Sequence, residues 1–254
     1  MSSQTNGTMG TALVTGGAKR IGAAICRRLA EAGYDIVIHC NASRTEAESL
    51  AQELRALGVQ TGVVQGDLAD AAVLPGLVES ANSLCGPLRL LVNNASLFLQ
   101  DSAASATPDG FAANLATNLV APVLLTQHFV AALNGERGCV INLIDQRVLR
   151  PDPRFFTYTL AKSALLTATK TMAQAFAPDV RINAVGPGPT LPNIHEGTAG
   201  FAIEAAGTLL GEPVSPQEIA DTVLFLAQSP HITGQMIAVD SGQHLGWKTP
   251  DVTE

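Results

Sequence analysis

Apolar and polar positions follow one another along this chain in a regular order of short apolar runs and longer segments of helical period. Seven short runs rich in Val, Ile and Leu predict strands, at residues 11–15, 35–40, 59–65, 88–93, 139–144, 180–185 and 235–239. Six intervening segments carry apolar residues at helical spacing, at residues 19–32, 44–57, 71–85, 111–133, 155–177 and 216–228. Nearly continuous apolar strands are typical of parallel sheets covered on both faces. The pattern therefore predicts an α/β fold: a doubly wound, seven-stranded, mostly parallel sheet with helices on both faces.

No long linker, composition break or internal repeat interrupts this alternation. We expect residues 1–254 to form a single domain, with residues 1–9 disordered because they belong to no apolar pattern. Residues 187–212, which follow the sixth strand, are rich in Gly and Pro. Their place at the carboxyl edge of the sheet, where open α/β folds bind ligands, predicts a substrate loop or lid.

Composition narrows the classes of function. Apolar residues make up 46% of the 254 residues and charged residues 15%, so there is material for a core and no case for disorder. With 15 Lys and Arg against 22 Asp and Glu, the net charge of −7 disfavours a nucleic-acid partner, which needs a basic face. The chain has no run of 18 apolar residues, so we expect no membrane span. Four widely spaced cysteines predict reduced thiols, no metal site and a cytoplasmic location.

A glycine-rich turn at residues 15–22 (TGGAKRIG) joins the first predicted strand to the first predicted helix. Glycines at such a junction let the backbone approach a pyrophosphate closely, and the N–H groups of the helix N-terminus favour an anion. The motif predicts a dinucleotide site. The alternative is a tight turn with no ligand.

The second predicted strand ends without the acidic residue that usually binds the ribose of NAD. The only acid of this strand, Asp35, lies at its other end. The surroundings instead offer cations and a hydroxyl that suit a 2′-phosphate: Lys19, Arg20, His39, Ser43 and Arg44. We therefore expect NADPH/NADP+ as cofactor, the alternative for these residues being a solvated helix start.

Tyr158 and Lys162 stand four residues apart on a predicted helix, so the phenol and the ammonium share one helix face. A nearby cation favours the phenolate and lowers a Tyr pKa from ~10 toward working pH. The pair predicts a general acid or base.

These motifs, in this order and over essentially the whole chain, resemble the short-chain dehydrogenase/reductase family. The resemblance implies a Rossmann fold in which Tyr158 donates a proton and Lys162 holds the nicotinamide ribose and lowers the Tyr158 pKa. It also implies that Asn118 supports a proton-relay water, that Asp67 contacts adenine and that Asn94 lines the cofactor floor. The cofactor residues that we expect are Gly16, Lys19, Arg20, Ile21, His39, Asn41, Ser43, Asp67, Leu68, Asn94, Ala95, Tyr158, Lys162, Pro187 and Gly188.

Departures from the family pattern narrow the resemblance to its pteridine reductase branch, which includes bacterial dihydromonapterin and dihydrofolate reductases. Arg20 replaces the middle glycine of the turn, Asp145 replaces the catalytic Ser thirteen residues before Tyr158, and Ser96 and Phe98 follow the Asn-Asn-Ala motif. The resemblance implies that Arg20 and the His39–Ser43 pair receive the 2′-phosphate. It implies that Phe98 stacks a pterin against nicotinamide, while Ser96, Asp145 and Tyr158 face the substrate.

The chemistry of Asp145 favours the same branch. A Ser hydroxyl suits the alkoxide of ketone reduction, whereas an Asp orients the N–H groups of a pterin or supplies a proton when its C=N bond is reduced. The leading hypothesis is an NADPH-dependent enzyme that reduces a dihydropterin to the tetrahydro form. The alternatives are a carbonyl reductase acting on 3-oxoacyl or sugar-like ketones and a non-catalytic NADP(H)-binding protein. The resemblance also implies a homotetramer.

Overall fold

The computed structural model describes residues 9–192 and 197–247. Seven strands form one sheet in the order β3-β2-β1-β4-β5-β6-β7, and every neighbouring pair is parallel. The strands are β1 (Thr11–Val14), β2 (Asp35–Cys40), β3 (Thr61–Gln65), β4 (Leu88–Asn93), β5 (Gly138–Leu143), β6 (Val180–Pro187) and β7 (Met236–Val239). The predicted fold class is confirmed. Residues 1–8 lie outside the described residues, and Met9, which was expected to be disordered with them, donates a backbone hydrogen bond to Gly33.

The described helices depart from the predicted six in two places. The helices are α1 (Arg20–Glu31), α2 (Arg44–Arg55), α3 (Leu74–Cys85), α4 (Pro108–Leu115), α5 (Ala121–Ala132), α6 (Phe156–Ala175), α7 (Gly197–Ala206) and α8 (Pro216–Gln228). A π-helical turn, Ala116–Val120, joins α4 to α5 within the single helix predicted there. The prediction of an irregular segment at 187–212 was wrong for α7, because flanking Gly and Pro residues hide a ten-residue, Ala-rich helix. Residues 193–196 of that segment lie outside the described residues.

Helix α8 illustrates how the local sequence sets an element boundary. The Ser215 side chain accepts from the backbone of Glu218, and the Glu218 carboxylate accepts from the Ser215 backbone, which together form a capping box. Pro216 follows at the first helical position, where its missing N–H costs nothing.

Two apolar cores cover the two faces of the sheet. Helices α1, α2 and α8 bury one set of side chains, represented by Ile25, Leu54 and Val223. Helices α3, α5 and α6 bury another on the opposite face, represented by Leu77, Phe129 and Met172. The strands are therefore buried on both sides, which explains their nearly continuous apolar sequence.

Within the described residues, one helical stretch, 108–132, is long and apolar enough to cross a membrane, and 33% of its most apolar window is buried. This stretch contains α4 and α5. Helix α5 packs against α3, α6, β4 and β5, as expected of a core helix.

The sheet brings six segments to one edge. The turn after β1, the ends of β2 and β3 and the segments after β4, β5 and β6 all leave the carboxyl ends of parallel strands. β2 and β3 lie on one side of β1, and β4 to β7 lie on the other. The connections after β1 and β4 therefore run in opposite directions, which opens a crevice between these two strands. Most of the side chains singled out in the sequence lie along this edge.

Candidate active site

Two adjoining cavities occupy the carboxyl edge of the sheet. One, of about 590 Å³, is lined by the turn after β1 and by residues that include Lys19, His39, Asn41, Asp67 and Leu68; we call it the cofactor-side cavity. The other, of about 520 Å³, is lined by residues that include Phe98, Asp145, Tyr158, Lys162, Pro187 and Gly188; we call it the substrate-side cavity. Arg20, Ile21, Asn94, Ser96 and Leu97 line both. The two cavities therefore form one continuous crevice.

The glycine turn is held by its neighbours in the sheet. Gly16 has φ +60°, a conformation that favours glycine, and a Cβ on Gly22 would overlap the Gly16 carbonyl oxygen. The Asn94 amide donates to the carbonyl oxygens of Thr15 at 2.8 Å and Gly16 at 3.0 Å. The Thr15 hydroxyl accepts from the backbone N–H groups of Asn94 and Ala95. The backbone at this turn is thus fixed close to the crevice.

His39 has a different role from the one the resemblance implies. Its Nδ1 accepts from the Gly16 N–H at 3.2 Å, so Nε2 carries the proton and donates to the Gly66 carbonyl at 3.0 Å. Burial lowers the pKa of His39, although the Gly66 carbonyl and the Asp67 charge oppose that effect. His39 is therefore a neutral brace for the glycine turn, and neither ring nitrogen is left to receive a phosphate.

The basic residues near the end of β2 are already in ion pairs. Lys19 lies 2.5 Å from Glu46, and Arg44 lies 3.4 Å from Glu48. Ser43 precedes α2 but does not line the cofactor-side cavity. Asp35, the only acid of β2, lies at the start of that strand, away from the crevice, and accepts a hydrogen bond from the Gln60 N–H at 2.7 Å.

Arg20 is strained and turns toward the substrate side. Its φ of +54° lies in the left-handed region, where a residue with a Cβ is disfavoured. Its guanidinium donates to the carbonyl oxygens of Pro192 at 3.0 Å and Leu191 at 3.4 Å. Arg20 thus ties the glycine turn to the segment after β6, a contact that the sequence does not indicate.

Tyr158 and Asp145 form the polar centre of the substrate-side cavity. The Tyr158 hydroxyl donates to Asp145 Oδ2 at 3.0 Å. Lys162, on the next turn of α6, donates to the Leu143 carbonyl at 2.8 Å and lies 5.7 Å from the centroid of the Tyr158 ring. These three side chains come together as the sequence predicts.

The expected lowering of the Tyr158 pKa is wrong for this arrangement. Burial raises that pKa well above its ordinary value, and the charge and hydrogen bond of Asp145 raise it further, against Arg147 and Ser96. Burial also lowers the pKa of Lys162 to about 8, against the opposing charge of Asp145. A carboxylate where the family has a hydroxyl thus favours a neutral phenol, which is the form that donates a proton.

Asn118 lies in the π-helical turn and organises the segment after β4. Its Oδ1 accepts from the Ser96 hydroxyl at 2.8 Å and from the Leu97 N–H at 3.2 Å. Its Nδ2 donates to the Leu97 carbonyl and to Asn114 Oδ1. All four hydrogen-bonding positions of its amide are used, so a role in supporting a relay water stays a prediction.

Phe98 forms an aromatic wall of the substrate-side cavity that the sequence only partly indicates, and the fully buried Phe155 supports it. The Phe98 ring stacks on Phe155 with centroids 4.0 Å apart and meets the Tyr158 ring edge-on at 4.7 Å. Phe98 was predicted; Phe155 was not, and its backbone is left-handed at φ +55°. Arg147 and Glu204 were also missed. Arg147 follows Asp145 by two residues, but its partner Glu204 lies on α7, which no sequence signal identified.

Comparison with known proteins identifies a matching family and several similar oxidoreductases. Residues 16–244 match the protein family described as Enoyl-(Acyl carrier protein) reductase. An uncharacterized oxidoreductase of Methylorubrum extorquens is 33% identical over 244 residues, 91% of this chain and 96% of that protein. The 3-oxoacyl-acyl-carrier-protein reductase FabG of Staphylococcus aureus is 29% identical over 241 residues, 92% of this chain and 98% of that protein.

Among solved structures, the FolM alternative dihydrofolate reductase 1 of Brucella suis, in complex with NADP, is 44% identical. Its TM-score is 0.93 over 96% of this chain and 99% of that one. A blue fluorescent protein from a metagenomic library, in complex with NADPH, is 33% identical with a TM-score of 0.86 over 93% of this chain and 98% of that one. These complexes agree with the NADP(H) expected from the sequence, and the resemblance drawn from the motifs is confirmed. The chain belongs to the short-chain dehydrogenase/reductase family of oxidoreductases.

Proposed function

We propose that this protein is an NADPH-dependent reductase that converts a dihydropterin, of the dihydromonapterin or dihydrofolate type, to its tetrahydro form. The observation that carries the proposal is the placement of Asp145. Its carboxylate accepts a hydrogen bond from the Tyr158 hydroxyl, in a cavity that Phe98 also lines. Ketone-reducing members of the family have a Ser at this position. A carboxylate there suits a ring that presents N–H and amino donors.

NADP(H) fits the residues of the cofactor-side cavity. A Cβ on Gly22 would overlap the Gly16 carbonyl oxygen, and the turn brings backbone N–H groups to the N-terminus of α1, which suits a pyrophosphate. Lys19 and Arg20 line this cavity, and β2 ends without an acid. When bound, the cofactor supplies a hydride.

The chain's own residues supply the rest of the reaction. Reduction of a C=N bond adds a hydride to carbon and a proton to nitrogen. Tyr158 holds that proton on its hydroxyl, since burial and Asp145 keep the phenol neutral. Asp145 orients the N–H and amino groups of the ring through its carboxylate oxygens, and Lys162 would hold the ribose of the cofactor.

The second candidate function is a carbonyl reductase acting on 3-oxoacyl or sugar-like ketones. The similarity to the FabG reductase of Staphylococcus aureus favours it, at 29% identity. Asp145 counts against it, because a buried carboxylate beside Tyr158 repels the alkoxide that forms when a ketone accepts a hydride.

Purified protein assayed with NADPH against dihydromonapterin, dihydrofolate and a panel of ketones separates the two. We expect rapid NADPH oxidation with a dihydropterin and formation of the tetrahydro product, with ketone reduction slower by about tenfold or more. Efficient turnover of a 3-oxoacyl ester with none of either dihydropterin contradicts the proposal. NADPH binding without turnover of any substrate favours a non-catalytic role.

The proposal also covers the oligomeric state and the cellular location of the protein. The exposed apolar side chains Val120 and Leu160 lie beside α5 and on α6, and we propose that these two helices build a homotetramer. The chain acts as a single domain in which the segment after β6, with α7, contacts the substrate. The four buried, free cysteines fit a reducing cytoplasm. Light scattering after size-exclusion chromatography is expected to give four times the chain mass.

A further inference from the structure

One guanidinium, that of Arg147, stands between two carboxylates at the wall of the substrate-side cavity. Its Nη1 lies 3.4 Å from Asp145 Oδ2, and its Nη2 lies 3.3 Å from Glu204 Oε1. The Arg147 side chain is 10% exposed, and those of Asp145 and Glu204 are 13% and 21% exposed. Buried charges at this spacing depend strongly on one another, because little solvent screens them.

The surroundings of Arg147 fix its position from several sides. Its guanidinium carbon lies 5.7 Å from the centroid of the Phe98 ring and 5.4 Å from that of Phe155. Its backbone N–H donates to Asp145 Oδ1 at 2.8 Å. Asp145 is thus held at one oxygen by the backbone of residue 147, and at the other it meets the Arg147 side chain and the Tyr158 hydroxyl.

Glu204 is the main tie between α7 and this cluster. Only Ala205 is buried among the ten residues of α7, and Ile203 is 76% exposed. Glu204 Oε1 also accepts from Gln243, at 2.9 Å, which joins the turn after β7 to the same point. By holding Nη2, Glu204 draws the guanidinium away from a two-pronged pairing with Asp145 and leaves Oδ2 to Tyr158 at 3.0 Å.

We propose that Arg147 is a positioning residue that acts through Asp145, and that Glu204 on α7 sets how strongly Arg147 pairs with that carboxylate. The proposal rests on the proposed function, since it concerns how the substrate-side carboxylate is presented. The other charged or titratable groups that act on the cluster are Tyr158 and Lys162 of α6 and Asp152 of the preceding loop.

The consequence for the reaction is a balance of charge. Without Arg147, the Asp145 carboxylate loses its compensating cation, and one of the two effects that hold down the Tyr158 pKa disappears. Without the Glu204 charge, Arg147 is free to pair with Asp145 through both nitrogens and to compete with the substrate for its oxygens. Removing Arg147 therefore makes the Tyr158 phenol a weaker acid and leaves the Asp145 carboxylate less well oriented. Removing the Glu204 charge mainly weakens substrate binding.

A double-mutant cycle tests whether Arg147 acts through Asp145. We expect Arg147→Met to lower kcat/KM for the dihydropterin by about tenfold or more in the wild type, but by less than about twofold in the Asp145→Asn background. Arg147→Lys restores part of the loss. Arg150→Met is the matched control, because Arg150 lies on the same turn and donates to the Gln243 carbonyl but is not paired with Asp145. The Kd for NADPH, measured by cofactor fluorescence, reports whether each variant is folded.

Glu204 is tested in the same way. Glu204→Gln should raise KM for the dihydropterin by about threefold to tenfold with a smaller change in kcat, and should have no effect once Arg147 is Met. Glu212→Gln, an exposed change in the following loop, is its control.

An equal loss from Arg147→Met in both Asp145 backgrounds overturns the proposal, and so does the absence of a loss in the wild type. A variant that no longer binds NADPH is replaced in the cycle by Arg147→Lys. If the wild type reduces only a ketone, the proposed function fails, but the cycle is then run on that ketone and still decides the role of Arg147.

Discussion

The cofactor-side and substrate-side cavities share one crevice but are built differently. The cofactor side is made of backbone: the turn at Gly16 is braced by Asn94, Thr15 and the neutral His39, all from the ends of adjacent strands. The substrate side is made of side chains whose partners come from distant segments. There Asp145 meets Tyr158, 13 residues further along the chain, and Arg147 meets Glu204, 57 residues further along.

Specificity for the substrate is therefore expected to lie on the substrate side of the crevice. A backbone cradle accepts the pyrophosphate that all dinucleotides share, so its role is common to many proteins of this fold. Buried charges must each be compensated by another group, so a cavity that contains them favours a substrate whose polar groups complement those charges. Changes at Asp145 and Phe98 should therefore alter the use of the substrate with little effect on cofactor binding, and changes at the glycine turn should alter cofactor binding.

Among single substitutions, Tyr158→Phe should reduce turnover most strongly. It removes the proton donor and little binding surface, so kcat should fall by ~10²- to 10⁴-fold while the Kd for NADPH stays nearly constant. Tyr34→Phe is the matched control, because Tyr34 is equally buried, with 5% of its surface exposed, but lies at the opposite end of β2. A Tyr158→Phe enzyme with more than half of wild-type turnover shows that the proton comes from elsewhere.

The next effect is that of Asp145→Asn on the pH profile. Asp145 raises the pKa values of Lys162 and Tyr158, so its neutralisation lowers both. Lys162, with a pKa of about 8, then loses its proton at lower pH. The basic limb of the kcat/KM profile should move to lower pH, and turnover near neutrality should fall by about tenfold or more. An unchanged basic limb contradicts the coupling between Asp145 and α6.

The same contrast explains what the sequence could reveal. The alternation of strands and helices, the glycine turn and the Tyr158–Lys162 pair follow from periodicity and local spacing, which are properties of neighbouring residues. The neutral state of His39 and the high pKa of Tyr158 both depend on burial, which the packing of distant segments sets. Helix α7 and the pairing of Glu204 with Arg147 depend on packing between segments far apart in sequence, which no local pattern encodes.

A smaller effect is expected on the cofactor side from Arg20→Gly. The wild type should prefer NADPH over NADH by about tenfold or more in kcat/KM, since one charge-assisted contact suffices for that ratio. Arg20→Gly should reduce the preference. Because the left-handed strain at φ +54° disappears while the unfolded chain gains freedom, the free energy of unfolding should change by less than ~1 kcal/mol. Equal use of both cofactors by the wild type contradicts the assignment of NADPH.

The smallest effect should come from the aromatic wall. Phe98→Leu keeps an apolar side chain but removes the flat ring that stacks on Phe155. KM for the dihydropterin should rise by about threefold to tenfold, with little change in the Kd for NADPH, since base–aromatic stacking is worth ~1–3 kcal/mol and Leu retains part of the contact. Phe111→Leu, which alters an edge-on contact with Phe156 outside the crevice, is the control. Equal effects of the two variants contradict a role for Phe98 in substrate binding.

The proposed role of Asp145, to adapt this protein to the reduction of a pterin, is tested by comparing two enzymes on two substrates. Wild type and Asp145→Ser are assayed in parallel, with NADPH, for kcat/KM on a dihydropterin and on a simple 3-oxoacyl ester. We expect Asp145→Ser to lose dihydropterin reduction by about a hundredfold or more and to gain weak activity on the ketone, because the change restores a hydroxyl donor beside Tyr158. An Asp145→Ser enzyme that reduces the dihydropterin as fast as the wild type contradicts the claim.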